Sequence, residues 1–248
     1  VPLSARTRVA SESVPIASTP GCPACRLRSA CFVDLLDPVA LGGLVGLVRR
    51  REPSQKDTVI CRQGDALEAF FALRSGSAKA WVDGEDGSET VTDFFLPGDL
   101  IGAAALSDRR FPFSVVLLER SAVCELPLAA VHDLMAVHRQ FRERFVALLG
   151  AEIRKGIERQ RWERAPAEAR VATFIDSMRR SLARIGRRED DLTLTMSRND
   201  IASFLGIASE TVSRILTSFE RLGIIEVRGR ALRILDAGTL HAKAGSLE

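Results

Sequence analysis

SRNDIASFLGIASETVSRILTSFERLGIIEVRGRALRIL, residues 197–235, contains two short amphipathic helix patterns in close succession. Ser197 is a good N-cap residue, and Asp200 three positions later gives the first helix a start that resembles a capping box. Gly206 permits a tight turn after this helix, and Ser209 is predicted to cap a second one. Two short helices joined through a turn that contains glycine are typical of a helix-turn-helix motif.

A basic hairpin follows the second helix. Gly223 ends that helix, because glycine adopts the left-handed C-terminal conformation without strain. The runs IIEV and ALRIL predict two strands joined at Arg228, Gly229 and Arg230, and such a hairpin would form a wing beside the helices. The residues of the second helix that are predicted to face inward are Val212, Ile215, Leu216, Phe219 and Leu222.

Polar side chains remain on the outer face near the start of the second helix. Glu210, Ser213 and Arg214 stand at i, i+3 and i+4, so they share one face. An isolated helix with this pattern is more often a solvated face with a Glu–Arg pair. Inside a helix-turn-helix with a basic wing, the same residues suit the edges of bases in a major groove, and arginines outside the helix suit phosphates. The predicted DNA-binding residues are Glu210, Ser213, Arg214, Ser209, Thr211, Arg198, Arg228 and Arg230.

Upstream, between about residues 51 and 127, the pattern is typical of β-strands. Short apolar runs such as TVIC, AFFAL, AKAWV and SVVLL are separated by turn signals. Four glycines, Gly64, Gly76, Gly87 and Gly98, recur every eleven or twelve residues. Buried helix fragments would also give short apolar runs, but the glycines bracket each run closely, so the spacing favours an all-β sandwich or roll.

From Leu128 the apolar period becomes helical, and no proline follows before Pro166. A long helix with a narrow apolar stripe is typical of a coiled-coil dimer, although a helix packed along the core of its own domain has a similar stripe. The last turns, IRKGIERQRWER, are basic, and like charges repel in a dimer unless acidic residues pair with them. The predicted dimerisation residues are Phe141, Phe145, Leu148, Leu149, Glu152 and Ile153.

The composition is that of a soluble globular protein with room for two domains. The chain has 248 residues, of which 46% are hydrophobic and 27% are charged. Its net charge of +3 is too small to indicate nucleic-acid binding by itself. There is neither a run suited to a signal peptide nor the roughly 20 apolar residues of a membrane span. We therefore expect a cytoplasmic protein without a membrane partner.

Three of the five cysteines lie close together near the start of the chain. Cys22, Cys25 and Cys31 form a C-x2-C-x5-C pattern, and Cys124 is distant from them. A disulfide is unusual in a reducing compartment. Structural zinc sites with four cysteines more often use two C-x2-C pairs, whereas thiolates also suit iron–sulfur clusters, so all three alternatives stay open here. Cys61 lies inside a strand pattern and is predicted to be a buried core residue.

The order of β-roll, long helix and winged helix-turn-helix resembles the family of the cyclic-AMP receptor protein and the fumarate and nitrate reduction regulator, the CRP/FNR family. The stretch GDLIGAAAL is similar to the family's roll signature, and SETVSR is similar to the DNA-reading motif of the FNR branch. The resemblance covers the chain beyond its first residues. It implies a homodimer that reads double-stranded DNA at an inverted repeat with TTGAT-like half-sites. We also expect a contact with RNA polymerase and a role as an activator, although the sequence leaves activation or repression at a given site open.

The cysteine pattern resembles the oxygen-sensing set of the FNR branch. This resemblance implies a 4Fe–4S cluster held by Cys22, Cys25, Cys31 and Cys124, and an oxygen-responsive DNA-binding dimer. The alternative is a regulator of the same type that contains zinc or a disulfide and lacks an oxygen-labile cluster.

The resemblance also predicts the absence of a cyclic nucleotide. Binders of cyclic nucleotides in this superfamily place a glutamate soon after the Gly-Asp-x-x-Gly stretch and an Arg-Ser pair roughly ten residues later. In this chain Ala103 occupies the former position and Phe113 stands before Ser114. Without the arginine a cyclic phosphate would lose its bidentate partner.

The patterns together predict an α+β chain: an N-terminal β-roll of the cupin-like or cyclic-nucleotide-binding-like jelly-roll type, a long dimerisation helix and a C-terminal winged helix-turn-helix. The expected boundaries are a disordered tail over residues 1–20, a cysteine-rich arm over 21–33, the β-roll over 34–130, the dimerisation helix over 131–164, the winged helix-turn-helix domain over 165–240 and a tail over 241–248. An enzyme is not expected, because no nucleophile–base pair or phosphate loop is present. The three histidines, His132, His138 and His241, form no motif, and solvated positions suit them better than haem ligation.

Overall fold

The computed structural model describes residue 22, residues 25–31, residues 41–42 and residues 46–245. The predicted disordered tail, residues 1–20, lies outside the described residues, as do residues 21, 23–24 and 32–33 of the predicted arm, residues 34–40 and 43–45 of the predicted roll, and residues 246–248. The chain divides into two compact units, Val1–Glu152 and Ile153–Glu248. Within the described part of the chain, no helix is both long enough and apolar enough to span a membrane.

The first unit contains a β-roll, as the strand pattern predicts. Its strands are β1 Arg49–Arg50, β2 Val59–Cys61, β3 Ala69–Ser75, β4 Ala78–Asp83, β5 Glu89–Phe95, β6 Leu100–Ile101, β7 Ser114–Leu117 and β8 Ala122–Pro127. They form two antiparallel sheets of four strands each, in the orders β1-β8-β3-β6 and β2-β7-β4-β5. The core of the roll includes the fully buried side chains of Phe70, Leu73, Ile101 and Leu117.

Gly76 shows why glycines occur in the turns between these strands. It lies in the turn between β3 and β4 with φ of +85°, a left-handed conformation that glycine adopts without steric cost. A β-carbon at this position would lie 2.0 Å from Oγ of Ser121, a residue that is itself fully buried. The turn therefore requires glycine both for its backbone angle and for its close approach to the segment that contains Ser121.

Two helices follow the roll where the sequence predicts one. α1 spans Leu128–Val137 and α2 spans Arg139–Glu163, and His138 between them is extended, with φ of −105° and ψ of 100°. A guanidinium nitrogen of Arg142 donates to the carbonyl oxygen of Met135 at 2.6 Å, so the break has its own hydrogen bond. The prediction of an uninterrupted helix is wrong at this point, because no proline or glycine marks the break in the sequence.

After the break, Phe141 and Phe145 at the start of α2 belong to the core of the first unit. Their exposed fractions are 1% and 2%. The Phe145 ring packs edge-on against Phe70 of β3, with centroids 5.9 Å apart, and Phe141 lies 5.7 Å from Phe145. The prediction that these two phenylalanines lie in a dimer interface is therefore wrong, because the roll already buries them. Leu148 and Leu149 are half-buried against the same core.

The second unit contains the predicted winged helix-turn-helix. Its elements are α3 Ala167–Arg184, β9 Asp191–Thr193, α4 Arg198–Leu205, α5 Ser209–Arg221, β10 Ile225–Arg228, β11 Ala231–Ile234 and α6 Ala237–Ala244. The wing strands β10 and β11 are joined by β9 into a sheet with the order β10-β11-β9. Strand β9 was not predicted, because its three residues follow a polar loop and show too little alternation.

Residues 241–244 are not part of the featureless tail that the sequence suggests. They are the last residues of α6, whose N-cap Asp236 accepts a hydrogen bond from the backbone N–H of Thr239 at 2.9 Å. Leu240 is fully buried, and Nζ of Lys243 lies 2.6 Å from a carboxylate oxygen of Glu168 on α3. Buried Ala244, whose carbonyl oxygen accepts from Oγ1 of Thr173 at 3.1 Å, and a contact of 3.3 Å between Nδ1 of His241 and Asp176 also dock this helix on α3. These contacts depend on α3, so eight residues of sequence do not reveal them.

Candidate metal centre and nucleic-acid interface

Tight turns organise the segment that carries the first three cysteines. The backbone N–H of Cys25 donates to the carbonyl oxygen of Cys22 at 3.2 Å, and Arg28 donates to Cys25 at 3.1 Å. A short 3-10 helix, Arg28–Ala30, follows, and the N–H of Cys31 donates to the carbonyl oxygen of Arg28 at 3.2 Å. Successive hydrogen bonds from residue i+3 to residue i therefore give the described part of this segment a compact course.

This segment approaches the roll closely at Gly98. Gly98 lies in the turn before β6 with φ of +96°, and a β-carbon there would be 2.9 Å from the carbonyl oxygen of Ala30. Such a distance is too short for a real β-carbon, so only glycine permits this approach of the two backbones. Cys22 is 6% exposed and belongs to the core of the unit.

All four of the cysteines predicted to be metal ligands line one pocket. Cys22, Cys25 and Cys31 come from the arm and Cys124 from β8. The remaining walls are mostly apolar and consist of Leu27, Val48, Ala72, Leu73 and Leu126, with the arginines Arg50 and Arg74. None of the five cysteines, all of which lie in the described part of the chain, forms a disulfide.

The chemistry of this donor set suits a metal centre with thiolate ligands. Four thiols surround a cavity with mostly apolar walls. Thiolates are the usual ligands of iron–sulfur clusters, and they also bind zinc.

Two arginines that the sequence analysis missed share the pocket with the cysteines. Arg50 pairs with Cys124 across β1 and β8, and its guanidinium donates to Sγ of Cys22 at 3.8 Å. Arg74 is half-buried in β3, within the otherwise apolar run AFFALRS. Burial raises the pKa of the Cys124 thiol, and the positive charges of Arg74 and Arg50 act in the opposite direction on this pKa. The presence of charged Arg74 in an otherwise apolar strand pattern was the sequence signal that could have indicated this part of the pocket.

Cys61 lies outside this pocket, as the strand pattern predicts. It is 4% exposed in β2 and packs in the core of the roll. Burial, with a smaller contribution from the charge of Asp65, raises the pKa of its thiol to about 12. A thiol in this environment stays protonated at neutral pH and is a poor metal ligand.

The positions compared with cyclic-nucleotide binders have internal partners in this roll. Oγ of Ser114 accepts a hydrogen bond from the backbone N–H of Gln63 at 3.0 Å, and Ser114 is 2% exposed. The Phe113 ring packs against Phe95 with centroids 6.3 Å apart. Ala103 begins a short 3-10 helix, Ala103–Leu106. Phe113 and Ala103 bring no charged group to this part of the roll.

In the second unit, the start of the helix-turn-helix agrees with the sequence in one cap and differs in the other. Ser197 and Asp200 form the predicted capping box of α4, with Oγ of Ser197 accepting from the Asp200 N–H at 3.0 Å. The N-cap of α5 is Ala208, and no side chain caps it. The prediction that Ser209 caps α5 is therefore wrong, since Ser209 is already its first residue. Gly206 has the expected left-handed conformation, with φ of +63°.

The outer face of α5 presents the predicted reading residues to solvent. Glu210, Ser213 and Arg214 are exposed, whereas Ser209 and Thr211 are half-buried. Nε of Arg214 donates to the backbone carbonyl oxygen of Glu210 at 3.4 Å instead of pairing with its carboxylate. The guanidinium edge and the carboxylate therefore stay accessible to an external partner.

Thr217 extends this face and was missed by the sequence analysis. It is exposed one turn beyond Ser213 and Arg214, at i+4 and i+3 from them. The same helical period that selected the three predicted residues would have found it. The prediction that Leu222 faces inward is wrong. Leu222 follows the last residue of α5, Arg221, and is 56% exposed.

Inward packing and one side-chain bond fix α5 to its neighbours. Val212 and Phe219 are fully buried and Leu216 is 4% exposed, as predicted. A carboxylate oxygen of Glu220 accepts from the backbone N–H of Val227 in β10 at 2.9 Å. The recognition helix and the wing are therefore held together directly.

The predicted phosphate-binding arginines differ in their surroundings. Arg228 is exposed at the end of β10, and its Nε donates to Glu226 at 2.9 Å. Arg230 is exposed in the hairpin after Gly229. Arg198, the first residue of α4, is half-buried, and this burial lowers the pKa of its guanidinium from its ordinary value.

The apolar residues that α2 exposes differ from the predicted dimerisation set. Val146, Ile153 and Ile157 are 58%, 67% and 57% exposed and stand at i, i+7 and i+11. Exposed Gly150 occupies position i+4, and Glu152 is half-buried. Of the six predicted dimerisation residues, Ile153 is thus the exposed apolar one.

A β-roll with a cysteine pocket and a separate winged helix-turn-helix with an exposed polar recognition face define a two-domain DNA-binding transcription regulator, not an enzyme. Comparisons with known proteins agree with this class. Residues 51–138 match the family model of the cyclic nucleotide-binding domain, and residues 169–243 match that of the Crp-like helix-turn-helix domain.

Full-length relatives narrow the class. The chain is 33% identical to an anaerobic regulatory protein of Haemophilus influenzae over 91% of this chain and 88% of that one. It is 34% identical to a fumarate and nitrate reduction regulatory protein of Salmonella typhimurium over 90% of each chain. FixK2 from Bradyrhizobium japonicum shares its fold, with a TM-score of 0.74 and 23% identity over 81% of this chain and 99% of that one. The chain belongs to the CRP/FNR family of transcription regulators.

Proposed function

We propose that this protein is an oxygen-responsive transcription regulator whose four pocket cysteines, Cys22, Cys25, Cys31 and Cys124, hold a 4Fe–4S cluster. The observation that carries the proposal is the position of these four thiols around a single pocket. The names of the relatives, which refer to anaerobic regulation and to fumarate and nitrate reduction, support an oxygen-linked role. When bound, the cluster supplies the oxygen-sensitive chemistry, and the chain supplies the ligands and the DNA-binding surface.

The pocket lies next to the start of the helical segment in the chain. Cys124 is in β8, which ends at Pro127, and α1 begins at Leu128. A change in the position of Cys124 therefore acts on a strand that leads directly into α1 and, after His138, into α2. This short connection is the physical basis for coupling the state of the pocket to dimerisation through α2.

DNA binding in this proposal requires two copies of α5. One recognition helix reads one half-site, so a dimer is needed for an inverted repeat with TTGAT-like half-sites. Loss of one half-site contact removes a large part of the specific binding energy, so a modest weakening of the dimer gives a large loss of occupancy. Contact with RNA polymerase, and activation through it, complete the proposed role. A cyclic nucleotide is not part of it, because Ala103 and Phe113 stand where its partners would be.

Anaerobic purification tests the proposed cluster. We expect brown protein with about four irons per subunit, since four thiolates complete one 4Fe–4S cluster. Exposure to air should bleach the visible absorption and weaken binding to a palindromic TTGAT site in a gel-shift assay. Colourless protein with stoichiometric zinc, or brown protein whose DNA binding is the same before and after air, would contradict the proposal.

Substitution of Ile153 tests the role of α2 in the dimer. Ile153→Asp is expected to shift the anaerobic protein from dimer to monomer in sedimentation experiments and to weaken DNA binding by about tenfold or more, because it places charge in an apolar interface. Val137→Asp is the matched control, since Val137 is 76% exposed on α1 and lies outside the α2 stripe. An Ile153→Asp protein that stays as dimeric as the control would show that this part of α2 is not the interface.

A further inference from the structure

The charge of the proposed cluster creates a requirement that the four thiols do not meet. A 4Fe–4S cluster with four thiolate ligands carries a net charge of about −2 in its resting state. The walls contributed by residues such as Leu27, Leu73 and Leu126 are apolar. Placing an anion in such surroundings is costly unless cations or N–H donors lie beside it.

Two arginines, Arg50 and Arg74, lie beside Cys124 in the pocket. Arg50 of β1 is paired with Cys124 of β8, and Cys124 is paired with Ala72 of β3. Side chains at paired positions of antiparallel strands lie on the same face, so Arg50 lies beside Cys124. Arg74 lies where the register of β3 with β8 shifts, between Leu73 and Ser75, and it lines the same pocket. Arg50 and Arg74 are the basic residues among the described residues that line the pocket, and no acidic residue is among those lining residues.

The neighbouring arginines have a different partner. Arg49 and Arg51 flank Arg50 in the sequence, and both pair with Glu125, at 3.5 Å from Arg49 and 2.8 Å from Nε of Arg51. Because successive side chains of a strand point to opposite faces, Arg49 and Arg51 lie on the side of Glu125, and Arg50 lies on the side of Cys124. Arg50 instead donates to Sγ of Cys22 at 3.8 Å.

We propose that Arg50 and Arg74 form a cationic pair that neutralises the cysteine-ligated cluster and thereby sets its retention and its reduction potential. They are positioning residues, since they act through the ligands and do not themselves bind iron. Removal of either positive charge leaves the cluster anion less compensated in an apolar pocket. Iron should then be lost more readily, and reduction, which adds a further negative charge to the cluster, should become harder.

Glutamine and lysine variants of the anaerobically prepared full-length protein test this inference. Arg50→Gln and Arg74→Gln are each expected to lose iron to a chelator about tenfold faster than wild type under nitrogen, a size typical of groups next to metal ligands. Their reduction potentials, measured by spectroscopic titration, should be more negative. Arg50→Lys and Arg74→Lys retain the charge and should behave nearly as wild type. Arg49→Gln, which removes the same charge from the opposite face at a 73% exposed side chain, should change neither quantity.

The outcomes separate this inference from the proposed function on which it rests. A wild-type protein that takes up no iron would overturn both. Normal iron uptake, together with equal retention and equal potentials in Arg49→Gln, Arg50→Gln and Arg74→Gln, would overturn the inference alone. Lysine variants that lose iron as fast as the glutamine variants would also overturn it, because charge would then not be the cause. Circular dichroism of each variant shows whether the roll is intact.

Discussion

Cys124→Ser is expected to abolish iron binding and, with it, anaerobic DNA binding. Cys124 is the one pocket cysteine contributed by β8, and the other three come from the arm. Serine is a poor ligand for iron–sulfur clusters, so the variant leaves three thiolates for a cluster that uses four. Iron analysis of protein purified under nitrogen should fall from about four per subunit to near zero. A gel-shift assay should show loss of binding to the palindromic site.

Cys61→Ala provides the control for this result. Cys61 is buried in β2 outside the pocket, so its removal should leave the iron content and the DNA binding unchanged. The loss of a buried sulfur should lower the free energy of unfolding by about 1 kcal/mol, which thermal denaturation measures. Full iron content in Cys124→Ser, or loss of iron in Cys61→Ala, would contradict the proposed ligand set.

Arg214→Ala is expected to weaken specific DNA binding by about 30-fold or more. A bidentate contact from arginine to guanine contributes about 1–3 kcal/mol, and a dimer would lose it in both half-sites. Arg214 is exposed on α5, and its guanidinium donates to a backbone carbonyl instead of pairing with Glu210. The variant should also lose its preference for guanine in the half-site, which binding to sites with substituted bases would measure.

Arg187→Ala separates base recognition from the general effect of charge. Arg187 is an exposed residue after α3, and its substitution changes the net charge of the domain equally. It should weaken binding little and leave sequence preference intact, because a charge outside the recognition surface carries no sequence information. Equal losses in the two variants would contradict direct reading of bases by Arg214.

Local signals explain which parts of the fold could be predicted. The capping box at Ser197 and Asp200 and the left-handed turn at Gly206 depend on neighbours in sequence, and both are present in the structure. The strand–glycine spacing similarly defines the β-roll. Caps can nevertheless be displaced by one residue, since Ala208 in extended conformation takes the position expected for Ser209.

Tertiary packing explains the main errors in the prediction of the long helix and its dimerisation residues. The apolar stripe of α2 does not reveal what buries it, and the answer changes along the helix. Phe141 and Phe145 pack in the core of the roll, whereas Ile153 remains exposed. The break at His138 is equally hidden, because its hydrogen bond from Arg142 to Met135 forms only after folding.

Strand register explains why Arg50 was missed as part of the cysteine pocket. The four cysteines are conspicuous by type and spacing, but Arg50 is one of three consecutive arginines with nothing to distinguish it. Only the pairing of β1 with β8 places Arg50 on the face of Cys124 and leaves Arg49 with Glu125. Sequence could therefore supply the candidate ligands but not the position of Arg50 beside them.

The close approach of Gly98 to Ala30 bears on how the protein would recover after oxidation. This backbone contact and the burial of Cys22 are contacts within the protein, so in the proposed role we expect them to help keep the arm on the roll when the cluster is lost. Cysteines held beside Cys124 have a high effective concentration relative to it, whereas a released arm would have to find it by diffusion. Repair would then need iron, sulfide and reduced thiols but no refolding of the domain. If the proposed function holds, we therefore expect the regulator to be reusable through repeated cycles of air and anoxia without new synthesis.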